Sequence, residues 1–250
     1  MTDNPGLNPH ERIDELGRKG FRIIQNTKTF CFGIDAVLLA DFASVSRDEK
    51  VADLGCGNGI LPLLLAGRDK GRLFYAFEIQ PEAADLARRN MILNRLEERV
   101  RIFQEDLKRA PEILGKGSMD AVVCNPPYYK LGAGILNPES AKAIARHELF
   151  CTLSDIMNVS AALLKPGGSL FLVHRSSRLT ELLREAESRG LFLKQLRMVH
   201  SYAESEAALL LCEFIRGRAP ECRILPPLIL YEEKGRFTQE VHKMYYGEER

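Results

Sequence analysis

The sequence has almost no net charge, no paired cysteine motif and no long apolar run, and each absence removes a class of function. With 35 basic and 34 acidic residues, the formal charge is only +1. That excludes a globally positive field, so any contact with nucleic acid must rely on a local patch. The six cysteines (Cys31, Cys56, Cys124, Cys151, Cys212 and Cys222) form no CxxC pair, and no histidine cluster stands near them at metal-ligand spacing. They read as reduced, mostly buried thiols of a cytosolic protein, with no bound metal. No apolar stretch approaches the roughly 20 residues of a membrane span. The start, Met1 to His10, lacks the basic and apolar parts of a signal peptide. A soluble cytoplasmic protein with no membrane partner is therefore expected. Internal repeats and low-complexity tracts are also absent.

A chain of 250 residues, 45% of them apolar, can bury the core of one large domain with small additions. Residues 1–12 are polar and rich in Pro and Gly, so they are expected to fray. Phe21–Gln25 and Lys28–Phe32 read as two strands around Asn26-Thr27. Gly33-Ile34-Asp35 then opens a helix through Ala40, with Asp35 as its expected N-cap. Short apolar strands and amphipathic helices alternate after that. Strands are expected at Val51–Leu54, Leu73–Phe77, Val100–Phe103, Ala121–Cys124 and Ser169–Val173, and helices near Ile60–Ala66, Pro81–Leu93, Ala141–Leu164 and Arg178–Ser188. This order requires βαβ crossovers, hence an α/β fold with a mostly parallel sheet covered on both faces. Phe192–Val199 and Ala207–Ile215 are separated only by Ser201-Tyr202-Ala203-Glu204-Ser205. So short a link cannot make a parallel crossover, and the last strand of a seven-stranded sheet is expected to be antiparallel.

The first chemical signal is Val51-Ala52-Asp53-Leu54-Gly55-Cys56-Gly57-Asn58-Gly59-Ile60, a strand running into a Gly-rich turn and a helix. Glycine lets the chain bend sharply and a ligand approach the backbone closely. A dinucleotide fingerprint would be spaced G-x-G-x-x-G, whereas here the glycines alternate at 55, 57 and 59. Asp53 would repel a pyrophosphate but attract an aminoacyl ammonium. The pattern resembles the D-x-G-x-G-x-G loop of class I methyltransferases, which implies a Rossmann-like fold and S-adenosyl-L-methionine as cofactor, with Asp53 near its methionine end. Glu78 ends the next strand roughly 20 residues beyond Gly59, where nucleotide-binding sheets hold ribose hydroxyls. Asp106 ends the third strand and resembles the position that binds the cofactor adenine, with Glu105 as its competitor.

The second signal is Asn125-Pro126-Pro127-Tyr128 at the end of an apolar strand. Two prolines fix φ and remove two backbone donors, leaving a stiff row of acceptors. An exocyclic amine is a poor nucleophile because its lone pair is delocalised into the ring. If Asn125 and the Pro126 carbonyl each accept one N–H, that lone pair is turned toward the methyl donor. Tyr128, or alternatively Tyr129, would stack on an extruded base.

This motif pair resembles the methyltransferases that modify adenine N6, guanine N2 or a protein glutamine amide. The whole chain is similar to the tRNA1(Val) adenine-N6 methyltransferase family. The similarity rests on Gly33-Ile34-Asp35-Ala36-Val37-Leu38-Leu39, Asn125–Tyr128, Ile144-Ala145-Arg146-His147-Glu148 and Leu164-Lys165-Pro166-Gly167-Gly168. Pro226–Tyr231 and Met244-Tyr245-Tyr246-Gly247 add to it. The resemblance implies methylation of the adenosine 3′ of the anticodon, with tRNA as partner. It divides the chain into an N-terminal hairpin and helix extension (1–49), a class I methyltransferase domain (50–217) and a C-terminal extension packed on it (218–250). Glu204-Ser205-Glu206 departs from it, being acidic where an RNA-facing loop is expected.

Weaker candidates for RNA contact are Arg12, Arg18, Lys19, Arg22 and Lys28, then His174, Arg175 and Arg178, and Arg146-His147-Glu148. Tyr231, Tyr245 and Tyr246 read as packing residues. Competing functions are a protein-glutamine N5 methyltransferase of the release-factor type, an rRNA guanine-N2 methyltransferase, and a catalytically silent nucleotide-binding or RNA-scaffold module.

Overall fold

The computed structural model describes residues 6–28, 31–126 and 151–247. Seven longer strands make the sheet: β3 (Lys50–Leu54), β4 (Leu73–Phe77), β5 (Val100–Phe103), β6 (Met119–Cys124), β7 (Leu164–Arg175), β8 (Leu191–His200) and β9 (Ala207–Arg216). Before it come β1 (Glu11–Glu15), β2 (Arg22–Asn26) and helix α1 (Ile34–Phe42). Between its strands run α2 (Ile60–Gly67), α3 (Pro81–Leu93), α4 (Ala110–Leu114), α5 (Leu153–Leu163) and α6 (Leu179–Glu187). After it lie β10 (Arg223–Ile224), β11 (Leu228–Ile229), β12 (Tyr231–Glu233), β13 (Arg236–Phe237) and α7 (Gln239–Tyr246).

The seven strands lie in the order β8-β9-β7-β6-β3-β4-β5. All neighbours are parallel except β9, which runs antiparallel to both β7 and β8. This is the expected α/β fold. Two short strands, β10 and β11, add in parallel along the free edge of β8 and bring the sheet to nine. Period-two alternation sends successive residues to opposite faces. Val51, Ala121, Val123 and Phe171 join α1 and α2 on one side. Ala52, Leu54, Val122 and Leu172 join α5 and α6 on the other. The C-terminal residues Leu228, Leu230, Val241 and Met244 complete the first of these cores.

Four local expectations are corrected. The hairpin pairs β2 with the upstream β1, and the described residues of the expected Lys28–Phe32 strand form no strand. Gly17, Lys19 and Gly20, all at positive φ, turn the chain there, while Asn26 closes an Asx turn onto the Lys28 amide at 2.9 Å and ends the strand. Residues 11 and 12, expected to fray, are therefore strand. Helix α1 is preceded by Gly33 as N-cap without a side-chain bond, and Asp35 sits inside the first turn. Finally, α5 begins only at Leu153. Thr152 accepts from the Asp155 amide and the Asp155 side chain accepts from the Thr152 amide, a capping box that starts a helix there. The remainder of the expected Ala141–Leu164 helix, residues 141–150, lies outside the described residues.

Candidate active site

The carboxyl edge of the sheet carries the described residues of the predicted site. Strand β3 lies between β4 and β6, with Asp53 level with Ala76 on one side and Val123 on the other. The glycine loop after β3, Glu78 after β4 and Asn125 after β6 therefore emerge side by side. This is where open α/β sheets bind ligands. Backbone bonds pin the loop to β4, since the Gly55 and Cys56 amides both donate to the Phe77 carbonyl at 2.9 Å.

Gly55, Gly57 and Gly59 all have positive φ, the region where side chains are strained. Their surroundings differ. A Cβ on Gly55 or Gly57 would meet nothing within 4 Å, whereas one on Gly59 would lie 2.8 Å from Met91 Cε and 3.4 Å from Ala87 Cβ. The first two glycines line open space, and the third lets α3 pack against the loop. An adjacent cradle of that kind suits a ligand lying flat on the backbone.

Asp53 is fully buried, and both carboxylate oxygens lack a hydrogen-bond partner among the described residues. Burial first, and then the neighbouring Glu78, push its carboxyl well above the usual range. A buried acid with no partner is expensive, so a cationic ligand beside it is the natural complement. Glu78, 2% exposed, is satisfied instead: its carboxylate accepts from the Gly57 amide at 3.0 Å and the Gln80 amide at 2.9 Å. Asp106 caps the turn at Leu107–Arg109 by accepting from the Lys108 amide, and lies 3.2 Å from the Lys108 ammonium. Its competitor Glu105 is engaged by Arg109 at 2.7 Å.

Asn125 is half-buried and Pro126 buried where β6 ends. The Cys124 thiol just before them donates to the Leu54 carbonyl at 3.1 Å, which ties the end of β6 to the start of the glycine loop. Pro127, Tyr128, Tyr129 and Arg146-His147-Glu148 lie outside the described residues. At the end of β7, His174 is buried and its pKa is lowered to about 4, by burial and then by Arg178.

Two residues escaped the sequence reading. Asn58 has both side-chain polar atoms buried without a partner among the described residues, within the loop itself. Asn90 is fully buried on α3 and donates to the Asn58 carbonyl at 2.9 Å. The available signal was a polar residue inside the apolar face Ala84, Ala87 and Met91. The basic N-terminal residues, in contrast, are largely occupied within the protein. Arg12 pairs with Asp14, Lys19 with Asp69, and Arg18 donates to the Lys243 carbonyl at the end of α7. Cys56, Cys124 and Cys212 are buried, Cys151 is intermediate, and Cys31 and Cys222 are exposed. Tyr231 and Tyr245 pack as expected, both against Phe237.

A family model described as "Methyltransferase small domain" matches residues 32–187, spanning the glycine loop, Glu78, Asp106 and Asn125. The chain belongs to this family. This methyltransferase is 30% identical over 207 residues to a tRNA1(Val) (adenine(37)-N6)-methyltransferase of Porphyromonas gingivalis, covering 80% of each chain. It is 28% identical over 221 residues to the protein of the same name from Dyadobacter fermentans, covering 87% of this chain and 89% of that one. Its fold is shared by the crystal structure of a predicted O-methyltransferase from Agrobacterium tumefaciens, at a TM-score of 0.69 and 23% identity, covering 85% of this chain and 96% of that one. Among the described residues, no helix of the methyltransferase is long and apolar enough to cross a membrane, and no group of three His, Cys, Asp or Glu residues could hold a metal ion.

Proposed function

We propose that this methyltransferase modifies N6 of the adenosine 3′ of the anticodon in tRNA1(Val), using S-adenosyl-L-methionine, in the cytoplasm. The observation that carries the reading is the adjacency of β3 and β6, which sets the glycine cradle and Asn125 on one edge. The curated relatives support the choice of tRNA adenine. S-adenosylmethionine supplies an electrophilic methyl group on a sulfonium centre.

The residues of this chain do the rest. Gly55 and Gly57 leave room for the cofactor against the backbone, and Glu78 would exchange its bonds to loop amides for bonds to ribose hydroxyls. Asp53 would stand near the cationic methionine end, and Asp106 near the adenine. Asn125 and the Pro126 carbonyl would accept the two N–H bonds of the target amine and hold its lone pair in line. Because the dipoles are fixed by Pro126 and Pro127, little reorganisation is needed when charge develops. Tyr128 would stack on the extruded base, a contact worth about 1–3 kcal/mol.

The test is methylation of total tRNA with labelled S-adenosylmethionine, followed by nucleoside mass spectrometry and mapping of the modified position. N6-methyladenosine at the nucleotide 3′ of the anticodon is expected. N2-methylguanosine, or labelled protein glutamine in a lysate with no labelled tRNA, would overturn the substrate assignment.

A further inference from the structure

Helix α3 is joined to the N-terminal hairpin by two asparagines one turn apart. Asn94 accepts from the Arg22 amide at 2.8 Å and donates to the Arg22 carbonyl at 2.7 Å. Asn90 does the same at Ile24, accepting from its amide at 2.6 Å and donating to its carbonyl at 3.1 Å. Arg22 and Ile24 stand two apart on one edge of β2, whose other edge is taken by β1. A carboxamide presents one donor and one acceptor, as a peptide group does, so the two side chains replace a neighbouring strand. Both pairs satisfy backbone groups of β2 that would be costly to leave unmade once covered.

Asn90 makes one bond that Asn94 does not. Its amide also donates to the Asn58 carbonyl in the glycine loop at 2.9 Å. The amide on the other side of that same peptide, Gly59 N–H, donates to the Cys56 carbonyl at 2.9 Å. The Asn58–Gly59 peptide is thus held at both ends, at the point where the loop turns into α2 through a positive φ at Gly59. Rotation of this peptide would reshape the cradle over Gly57.

We propose that Asn90 is a positioning residue for cofactor binding, which locks the Asn58–Gly59 peptide and makes the N-terminal hairpin a structural part of the cofactor site. The proposal rests on the reading of the glycine loop as the S-adenosylmethionine site. Asn94 supplies an internal control, since it clamps the same hairpin to the same helix without touching the loop.

The experiment measures S-adenosylmethionine affinity by calorimetry and stability by urea unfolding for the wild type, Asn90→Ala and Asn94→Ala. Both variants should unfold at lower urea. Asn90→Ala should also bind S-adenosylmethionine about tenfold more weakly, the order of one lost hydrogen bond, while Asn94→Ala binds as the wild type does. In single-turnover methylation at saturating cofactor, Asn90→Ala should recover most of the wild-type rate. If Asn90→Ala does not fold, Asn90→Ser must show the same loss of affinity. Unchanged affinity in the Asn90 variant, or an equal loss in Asn94→Ala, overturns the proposal. A wild type that does not bind S-adenosylmethionine would instead overturn the cofactor reading beneath it.

Discussion

Two stretches of the same sheet edge are built on opposite plans. After β3 and β4 the chain is buried and cross-braced: Gly55 and Cys56 bond to Phe77, Glu78 bonds to Gly57 and Gln80, and Asn90 bonds to Asn58. After β6 the described chain ends on the half-buried amide side chain of Asn125 and the buried Pro126. The first plan suits a cofactor that must find one shape, because preorganised loops lose little entropy on binding. The second suits an acceptor that must be gripped only while it reacts. If binding and chemistry are carried by these different residues, as proposed, substitutions should separate them.

The largest separation is expected at Asn125. Asn125→Ala should slow single-turnover methylation of tRNA by about 10²–10³, the cost of one preorganised partner of a developing charge, with cofactor affinity nearly intact by calorimetry. A wild-type rate would show that the amine is held elsewhere. Gly59→Ala tests the braced region as a piece of structure. A side chain at positive φ, 2.8 Å from Met91, should cost about 2–3 kcal/mol of unfolding free energy in urea. Stability equal to the wild type would mean that α3 yields easily at this contact.

Glu78→Ala tests the same region as a binding site and should weaken S-adenosylmethionine by about 1–3 kcal/mol, through loss of bonds to a charged acceptor. Unchanged affinity would remove Glu78 from the cofactor's ribose. The smallest effect lies in the N-terminal hairpin. The Arg89 guanidinium hydrogen-bonds the Glu11 carboxylate and holds its pKa down to about 2, against an ordinary value of 4.5. A lowered folded pKa stabilises the protein above the unfolded value, and that contribution drains away as pH falls from 4.5 toward 2. Glu11→Gln should thus cost about 1 kcal/mol near neutral pH, with the gap to wild type closing on acidification. A gap independent of pH would assign the loss to packing rather than charge.

Much of this candidate site is marked in the sequence because its residues are contiguous. Asp53 to Gly59 and Asn125-Pro126 are short runs in which strand, turn and chemistry occur together, so local physics is enough to interpret them. Glu78 needed only the regular spacing of one βαβ unit. Asn90 could not be read this way: its bonds to Ile24 and Asn58 cross 66 and 32 residues, and nothing near it in the chain marks it apart from its place on an apolar face. The β1–β2 pairing failed for a related reason. The alternation in β2 accepts a partner on either side, and the decision lay in the Gly17–Gly20 turn and in the asparagines waiting on α3.

The sequence by itself determined that the sheet is mostly parallel, the antiparallel return of β9 and the positions of the glycine loop and the Asn-Pro strand end. Each follows from local periodicity, turn chemistry or the length of a connection. Only the tertiary structure decided which buried acid is satisfied and which is not. Glu78 folds back onto loop amides while Asp53, also an acid on a strand of this edge, finds no partner among the described residues. Both are carboxylates at neighbouring strand ends, and the distinction depends on which backbone donors the packed loop turns toward each, a property of the assembled edge and of no segment within it.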